Sequence, residues 1–394
     1  MPDLSSDFAQ FMDDYAPYLW RNFSDQAGYA TLLYEDRADI HTFNYPPRKG
    51  FRKPPVDHYF RPYWLNVHWA MLHLRSSPYC YNAVPEHVIG LQWLEDFIVK
   101  YDRLKRPTFS LYWWQNLSHD QLNLIGAADE DLLKFLQRVH SKLQNTFLFF
   151  ISDHGHRYDA IRQSVIGRLE ARLPMLVLVP PAAFKDRYPQ AWTNLVSNGA
   201  QGSPLTSQYD IHSTLLDILR ANYDGKSSAS QKESPYGLSL FRPLPSDRNC
   251  LTAAVPEEYC PCYAETPLPT SDPWSAKVAG YLVSHINSLL SPFATQCAFL
   301  RLALIQDVHI FRPRSAFFRD PQVGRASPLS GYSVNYRVQL ITEPGGALFE
   351  AVVKRSFDDG SIRVEGDIDR NNAYGNQSFC VREEHVLRKL CYCV

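Results

Sequence analysis

The chain has 394 residues, 45% of them apolar and 21% charged, the balance of a folded protein long enough to bury a sizeable core. Lys plus Arg number 40 against 41 for Asp plus Glu, and a net charge of −1 removes any electrostatic case for nucleic acid or an anionic membrane surface. No run approaches the roughly 18 consecutive apolar residues of a membrane span, so no span is expected in this chain.

Short apolar, β-prone runs alternate with helical patterns over residues 1–265, as an α/β core with a mainly parallel sheet and flanking helices requires. Residues 28–34 are the first predicted strand and residues 107–114 the second. Between the second and the third, residues 129–143 predict an amphipathic helix, with Leu132, Phe135, Leu136, Val139 and Leu143 at helical spacing. Asp129, Glu130 and Asp131 stand in its first turn, where acids suit the helix dipole. Residues 146–152 form the clearest strand and residues 174–179 the fourth. Residues 209–220 predict a second amphipathic helix whose leucines pack on the sheet, and residues 220–237 a surface loop. The Pro/Ser/Thr stretch 265–272 is the expected boundary between a domain over 1–265 and one over 266–394. The latter predicts a helix over 274–290, then β-like segments over 298–311, 332–341 and 347–353, and a cysteine-rich tail. Pro344-Gly345-Gly346 and Asp358-Asp359-Gly360 predict tight turns there.

Six of the eight cysteines cluster late in the chain: Cys250, Cys260, Cys262, Cys380, Cys391 and Cys393. Sequons stand at Asn22, Asn116 and Asn376. Together these point to an oxidising, extracellular or lumenal compartment and to disulfides among the late cysteines. Zinc is the rival reading, but Cys260-Pro261-Cys262 and Cys391-Tyr392-Cys393 have one intervening residue, where structural zinc pairs usually have two to four. The opening residues show no leader, so a leader or anchor is expected upstream of Met1.

In an open parallel sheet ligands bind beyond the carboxyl ends of the strands. Glu35 and Asp36 follow the first predicted strand, Ser118, His119 and Asp120 the second, and Asp153, His154 and Gly155 the third. Asp153 and His154 can reach one divalent cation, with Gly155 allowing a sharp turn. A helix-capping Asp beside a surface His is the alternative. His119 and Asp120 suit a substrate oxyanion, a second metal or acid–base work, or are simply an exposed polar turn. Glu35 and Asp36 stand as a site rim or a solvated strand end. His41, His58, His68, His73 and His87 have no ligand spacing, and His212 reads as a packing residue. No P-loop, Rossmann glycine pattern or GxSxG elbow is present.

Ile151-Ser152-Asp153-His154-Gly155, followed by Gly167-Arg168-Leu169-Glu170 and Leu173-Pro174, resembles the second metal-site segment of the alkaline phosphatase–sulfatase superfamily. The stretch from Tyr209 to Leu219 is similar to the helix that follows in sulfatases. More narrowly, the chain resembles the family called domain of unknown function 229. The resemblance rests on Gly28-Tyr29-Ala30-Thr31 with Glu35-Asp36, Asp57-His58-Tyr59 with Arg61-Pro62, Leu117-Ser118-His119-Asp120, Ser152-Asp153-His154-Gly155-His156-Arg157, Cys250 with Tyr259-Cys260-Pro261-Cys262, and Cys391-Tyr392-Cys393. It implies an alkaline-phosphatase-like core with a divalent cation (zinc, calcium or manganese), Asp153 and His154 as ligands, His119 as a catalytic group, and Glu35, Asp36, Asp120 and Arg157 at the rim. The substrate class implied is a phosphate or sulfate ester, for a hydrolase or transferase of the secretory pathway. The superfamily's first metal ligand and hydroxyl nucleophile lie in a segment well before Gly28 that this chain lacks. The expectation is therefore a fragment without turnover and with weak metal binding, or, alternatively, a non-catalytic extracellular binding protein on the same fold.

Overall fold

The computed structural model describes residues 11–15, 18–44, 48–157, 160–200, 202–225, 236–256, 259–313, 333–357, 359–373, 375–381 and 385–394. Two compact units divide the chain, Met1–Arg187 and Tyr188–Val394.

The first unit opens with α1 (Leu19–Ala27), which ends on the left-handed Gly28 and leads into β1 (Ala30–Glu35). β1 is apolar except at its ends and is buried along its whole length, as a central strand must be. It pairs in parallel with the short β2 (His58–Tyr59). α2 (Arg61–His68), α3 (Met71–Leu74), the two-residue strands β3 (Cys80–Tyr81) and β4 (Val84–Pro85), and α4 (Glu86–Arg103) follow. β5 (Thr108–Trp113) then joins the other side of β1, also parallel, with Glu35 level with Trp113. The sheet order is therefore β2-β1-β5. α2 and α4 cover one face, where Phe60, Trp64, Val67, Phe97 and Tyr101 surround Leu32 and Tyr34. α4 approaches so closely at Gly90 that a Cβ there would collide with the hydroxyls of Tyr34 and Tyr112. α1 closes the other face, with Trp20 packed against Leu33 and Val56.

α5 (Asp129–Val139) sits where the apolar spacing predicts it, burying Phe135 and Val139 against Leu91 of α4. β6 (Leu148–Ile151), α6 (Val165–Arg172), β7 (Leu176–Val179) and the one-turn α7 (Phe184–Arg187) complete the unit. The third and fourth predicted strands thus exist, but they correct the parallel expectation. β6 and β7 pair antiparallel as a separate two-stranded sheet, with Ile151 opposite Leu176. Val177 and Val179 on one face remain 46% and 47% exposed, since among the described residues no third strand joins this pair.

In the second unit, α8 (Pro189–Asn198) and α9 (Gln208–Leu219) are clamped to the segment 237–248. Asn194 and Asn198 donate to the carbonyls of Phe241, Leu240 and Arg242. α9 departs from the predicted leucine face: its buried residues are Asp210, Ser213, Thr214, Leu216 and Asp217. Asp210 accepts the N–H of Ser207 and of Leu238, and Arg248 grips both its oxygens at 2.8 Å. Most of the predicted loop 220–237 lies outside the described residues.

β8 (Tyr263–Leu268) spans the stretch expected to be a connector, so the sheet of the C-terminal module begins before residue 266. α10 (Pro273–Leu290) is N-capped by Asp272 and packs its Val278, Leu282 and Ile286 on a five-stranded antiparallel sheet. Its other strands are β9 (Arg301–Pro313), β10 (Ser333–Glu343), β11 (Ala347–Ser356) and β12 (Ile362–Arg370), in the order β12-β11-β10-β9-β8. β10 alternates strictly: Tyr336, Val338 and Leu340 face α10, while Arg337 is buried on the opposite face. Arg337 meets Asp307 at 3.0 Å, Glu265 at 3.3 Å and Glu350 at 3.4 Å. The short α11 (His385–Leu390) leads to the tail.

Three disulfides bind this unit: Cys250–Cys260, Cys297–Cys391 and Cys380–Cys393. Cys250 closes a short loop on Cys260, a pairing within the late cysteines as expected. Cys262 lies beside that bridge, while Cys297, which the clustering of late cysteines passes over, is the partner of Cys391. Sulfur triplets lie close enough to hold an ion at Cys250, Cys260 and Cys262 and at Cys297, Cys380 and Cys391, but bridged sulfurs have no thiolate to offer a metal.

Candidate functional site

The parallel pairing of β1 and β5 brings their carboxyl ends level and sets Glu35-Asp36 beside the segment 115–120. Asp36 Oδ1 accepts the backbone N–H groups of Gln115 and Asn116 at 2.8 and 3.1 Å. The next turn closes on the Gln115 carbonyl, which takes the N–H groups of Ser118 and His119. Asp36 therefore anchors the turn that presents His119. Asn116 Nδ2 donates to Glu86 Oε2 at 2.6 Å, and Glu86 Oε1 lies 2.7 Å from His73 Nε2. A glycan would need that same Asn116 nitrogen, so its use here sets this sequon apart from the exposed Asn376.

Glu35 and Asp36 are buried, which corrects their reading as a rim or a solvated strand end. The segment after β5 folds over the end of β1 and shuts out water. Burial pushes both carboxyls up to about 7, against the hydrogen bonds they accept. The nearby Glu86 adds to the rise at Asp36. The outer layer is solvated instead. His119 Nδ1 lies 2.6 Å from Asp120 Oδ1, and Asp120 also meets Arg37, whose guanidinium clasps Asp39. His119 and Asp120 thus form the exposed imidazole–carboxylate pair at this edge.

Asp153 and His154 follow β6. Ser152 ties that strand end to β7 through two bonds with Met175. Asp153 Oδ1 accepts the His154 N–H at 2.8 Å. His154 Nδ1 lies 2.7 Å from the Gly155 carbonyl, which can only accept, so Nδ1 carries the proton and Nε2 the lone pair in the neutral ring. That Nε2 lies 3.4 Å from Asp153 Oδ2. Two ligands at 2.0–2.1 Å on a tetrahedral zinc are separated by about 3.3–3.4 Å. The pair has the spacing and tautomer of two first ligands, and its side chains are 36% and 52% exposed, open to a cation. Gly155 owes its place to close packing: a Cβ would strike the Glu170 carbonyl of α6. Arg157 is half-buried in the same turn.

His119 and Asp153 follow strands of different sheets, β5 and β6. Sequence spacing misses the residues that complete the inner network: His41 beside Glu35, His73 on Glu86, and Gln115 and Asn116. Glu86 did leave a trace, as an acid in the first turn of α4. His58 bonds Tyr101 and His87 bonds Asp131, so both are structural.

The class these features define is an α/β unit with imidazole–carboxylate pairs at its strand ends, joined in one chain to a disulfide-bridged antiparallel module. The chain matches the family described as "Protein of unknown function (DUF229)" over residues 3–306 and belongs to that family. No curated protein and no solved structure matches it. Among the described residues no helix is long and apolar enough to cross a membrane.

Proposed function

We propose that this chain carries part of the machinery of a metal-dependent phosphate or sulfate ester hydrolase or transferase of the alkaline phosphatase–sulfatase type, working in the secretory pathway. Asp153 and His154 are two ligands of a divalent cation, which supplies Lewis-acid stabilisation of the developing oxyanion when bound. His119, backed by Asp120, exchanges a proton with the ester or its leaving group, and Arg157 draws the anion. The observation that carries the reading is the 3.4 Å Asp153–His154 pair with its tautomer set by Gly155. The three disulfides support the oxidising compartment.

The chain by itself is proposed to be inactive. Two protein ligands bind zinc weakly, since three or four are the norm for tight sites. The hydroxyls of Thr31 inside β1, and of Thr42 and Ser118 nearer its carboxyl end, are already engaged. Thr31 Oγ1 donates to Asp57 and accepts its N–H, Thr42 Oγ1 donates to Glu35, and Ser118 Oγ donates to the Trp114 carbonyl. This engagement also favours a second reading, a non-catalytic binding protein on the same fold. The test is release from aryl phosphate and aryl sulfate esters. The 394-residue protein is expected to give none, and hydrolysis that disappears in Asp153→Ala overturns its inactivity. Joined to a segment supplying an Asp-Ser motif and a Thr, the protein is expected to gain metal and activity together. Failure to gain either favours the binding protein.

A further inference from the structure

Glu35 ends β1 fully buried, and its two oxygens are served unequally. Oε2 accepts the Thr42 backbone N–H at 2.9 Å, the Thr42 hydroxyl at 3.1 Å and the Gln115 amide at 2.9 Å. Among the described residues Oε1 accepts no hydrogen bond, and it faces His41 Nε2 at 3.4 Å. His41 is also fully buried, and neither ring nitrogen has a hydrogen-bond partner among the described residues. The side-chain oxygen of Gln115, the residue already bonded to Glu35, is buried and unpartnered too. Buried polar atoms are hydrogen-bonded in about nine cases of ten, so this concentration on three neighbouring residues calls for a shared partner.

The donor types identify it. A separation of 3.4 Å is long for an N–H···O bond, and the pair does not make one. It equals the ligand-to-ligand edge about a zinc-sized tetrahedral ion, the spacing seen again at Asp153–His154. A carboxylate, a neutral imidazole and an amide oxygen are all donors for such ions. The three bonds to Oε2 hold the carboxylate as outer-shell partners hold a ligand. We propose that Glu35 Oε1 and His41 Nε2 are ligands of a buried zinc-type divalent cation.

The positive charge of Arg61 bears on both residues and weakens the site relative to a four-ligand structural zinc. None of these residues belongs to the Asp153–His154 pair, so either site stands or falls alone.

The experiment produces the Asp153→Ala/His154→Ala protein in cobalt-supplemented medium, so that the buried site fills during folding, and measures cobalt and its visible spectrum after dialysis. The expected result is about one cobalt per chain, with the intense visible bands of four-coordinate cobalt and no thiolate charge-transfer band. The missing band excludes Cys80 and Cys262 as ligands. Adding Thr42→Val, which strips one outer-shell bond from Glu35, is expected to lower affinity about 10-fold or more. Adding Glu35→Gln or His41→Gln is expected to abolish the spectrum. A cobalt-free background protein, a thiolate spectrum, or cobalt indifferent to Glu35→Gln overturns the proposal. If the Glu35 and His41 variants do not fold, the content and spectrum of the background protein still decide.

Discussion

Removing the Cys297–Cys391 bridge should destabilise the second unit more than removing Cys250–Cys260, although both close within that unit. The reason lies in the lengths of chain they constrain. Cys297 and Cys391 stand 94 residues apart, so their bridge restricts a large part of the unfolded unit. Chain-entropy arithmetic gives about 4.7 kcal/mol for a loop of that size. Cys250 and Cys260 stand 10 apart, worth about 2.7 kcal/mol on the same relation. For a unit of this length each kcal/mol moves the midpoint by roughly 2–4 °C. The paired substitution Cys297→Ala/Cys391→Ala is therefore expected to lower the melting temperature by about 10–20 °C, and Cys250→Ala/Cys260→Ala by about half that. Both pairs are buried, so the small packing loss on substitution is similar and largely cancels in the comparison. The assay is calorimetric melting of protein from a secretory host, with non-reducing peptide mapping to confirm each bridge and no more than two reactive thiols after denaturation. Equal or inverted shifts would refute the loop-length reasoning, and a chain with eight reactive thiols would remove its premise.

Two further outcomes follow from the buried charges. Glu35 and Asp36 hold their protons up to about 7 when folded, above the ordinary 4.5 and 3.8, so the folded state binds the extra protons. Their contribution to stability is full below the ordinary values and is lost as pH rises through 7, at up to about 1.4 kcal/mol per pH unit for each group. In chelator, urea unfolding between pH 5 and 8 should show a shallower decline for Asp36→Asn, which keeps an acceptor for Gln115 and Asn116; identical slopes would sink this. Arg248→Ala should lower stability by about 3–5 kcal/mol, because it strands the fully buried Asp210 that α9 shares with Ser207 and Leu238. A urea midpoint within error of the parent would show Asp210 to be held without it.

The local elements were legible because each is a short-range demand. Residues 28–34 and 107–114 are apolar and β-prone, and they became β1 and β5. The spacing of Leu132, Phe135 and Val139 became α5, and the turn residues at 344–346 join β10 to β11. β8 and β12 were not legible: one runs through a Pro- and Thr-containing stretch, the other through charged residues with a glycine inside. The placement of Glu35-Asp36, His119-Asp120 and Asp153-His154 after three strands was legible too, since each follows an apolar run that became β1, β5 or β6. Partnership is another matter, because a run of apolar residues states that it must be covered and not by what. Only the tertiary structure turned residues 148–151 and 176–179 into an antiparallel pair apart from β1. It alone folded the segment after β5 over Glu35 and Asp36, converting two expected surface acids into buried ones. It alone set His41 against Glu35 and Cys297 against Cys391. Spacing along the chain records how a residue sits on its own helix or strand; which distant residue it meets is set by how those elements pack.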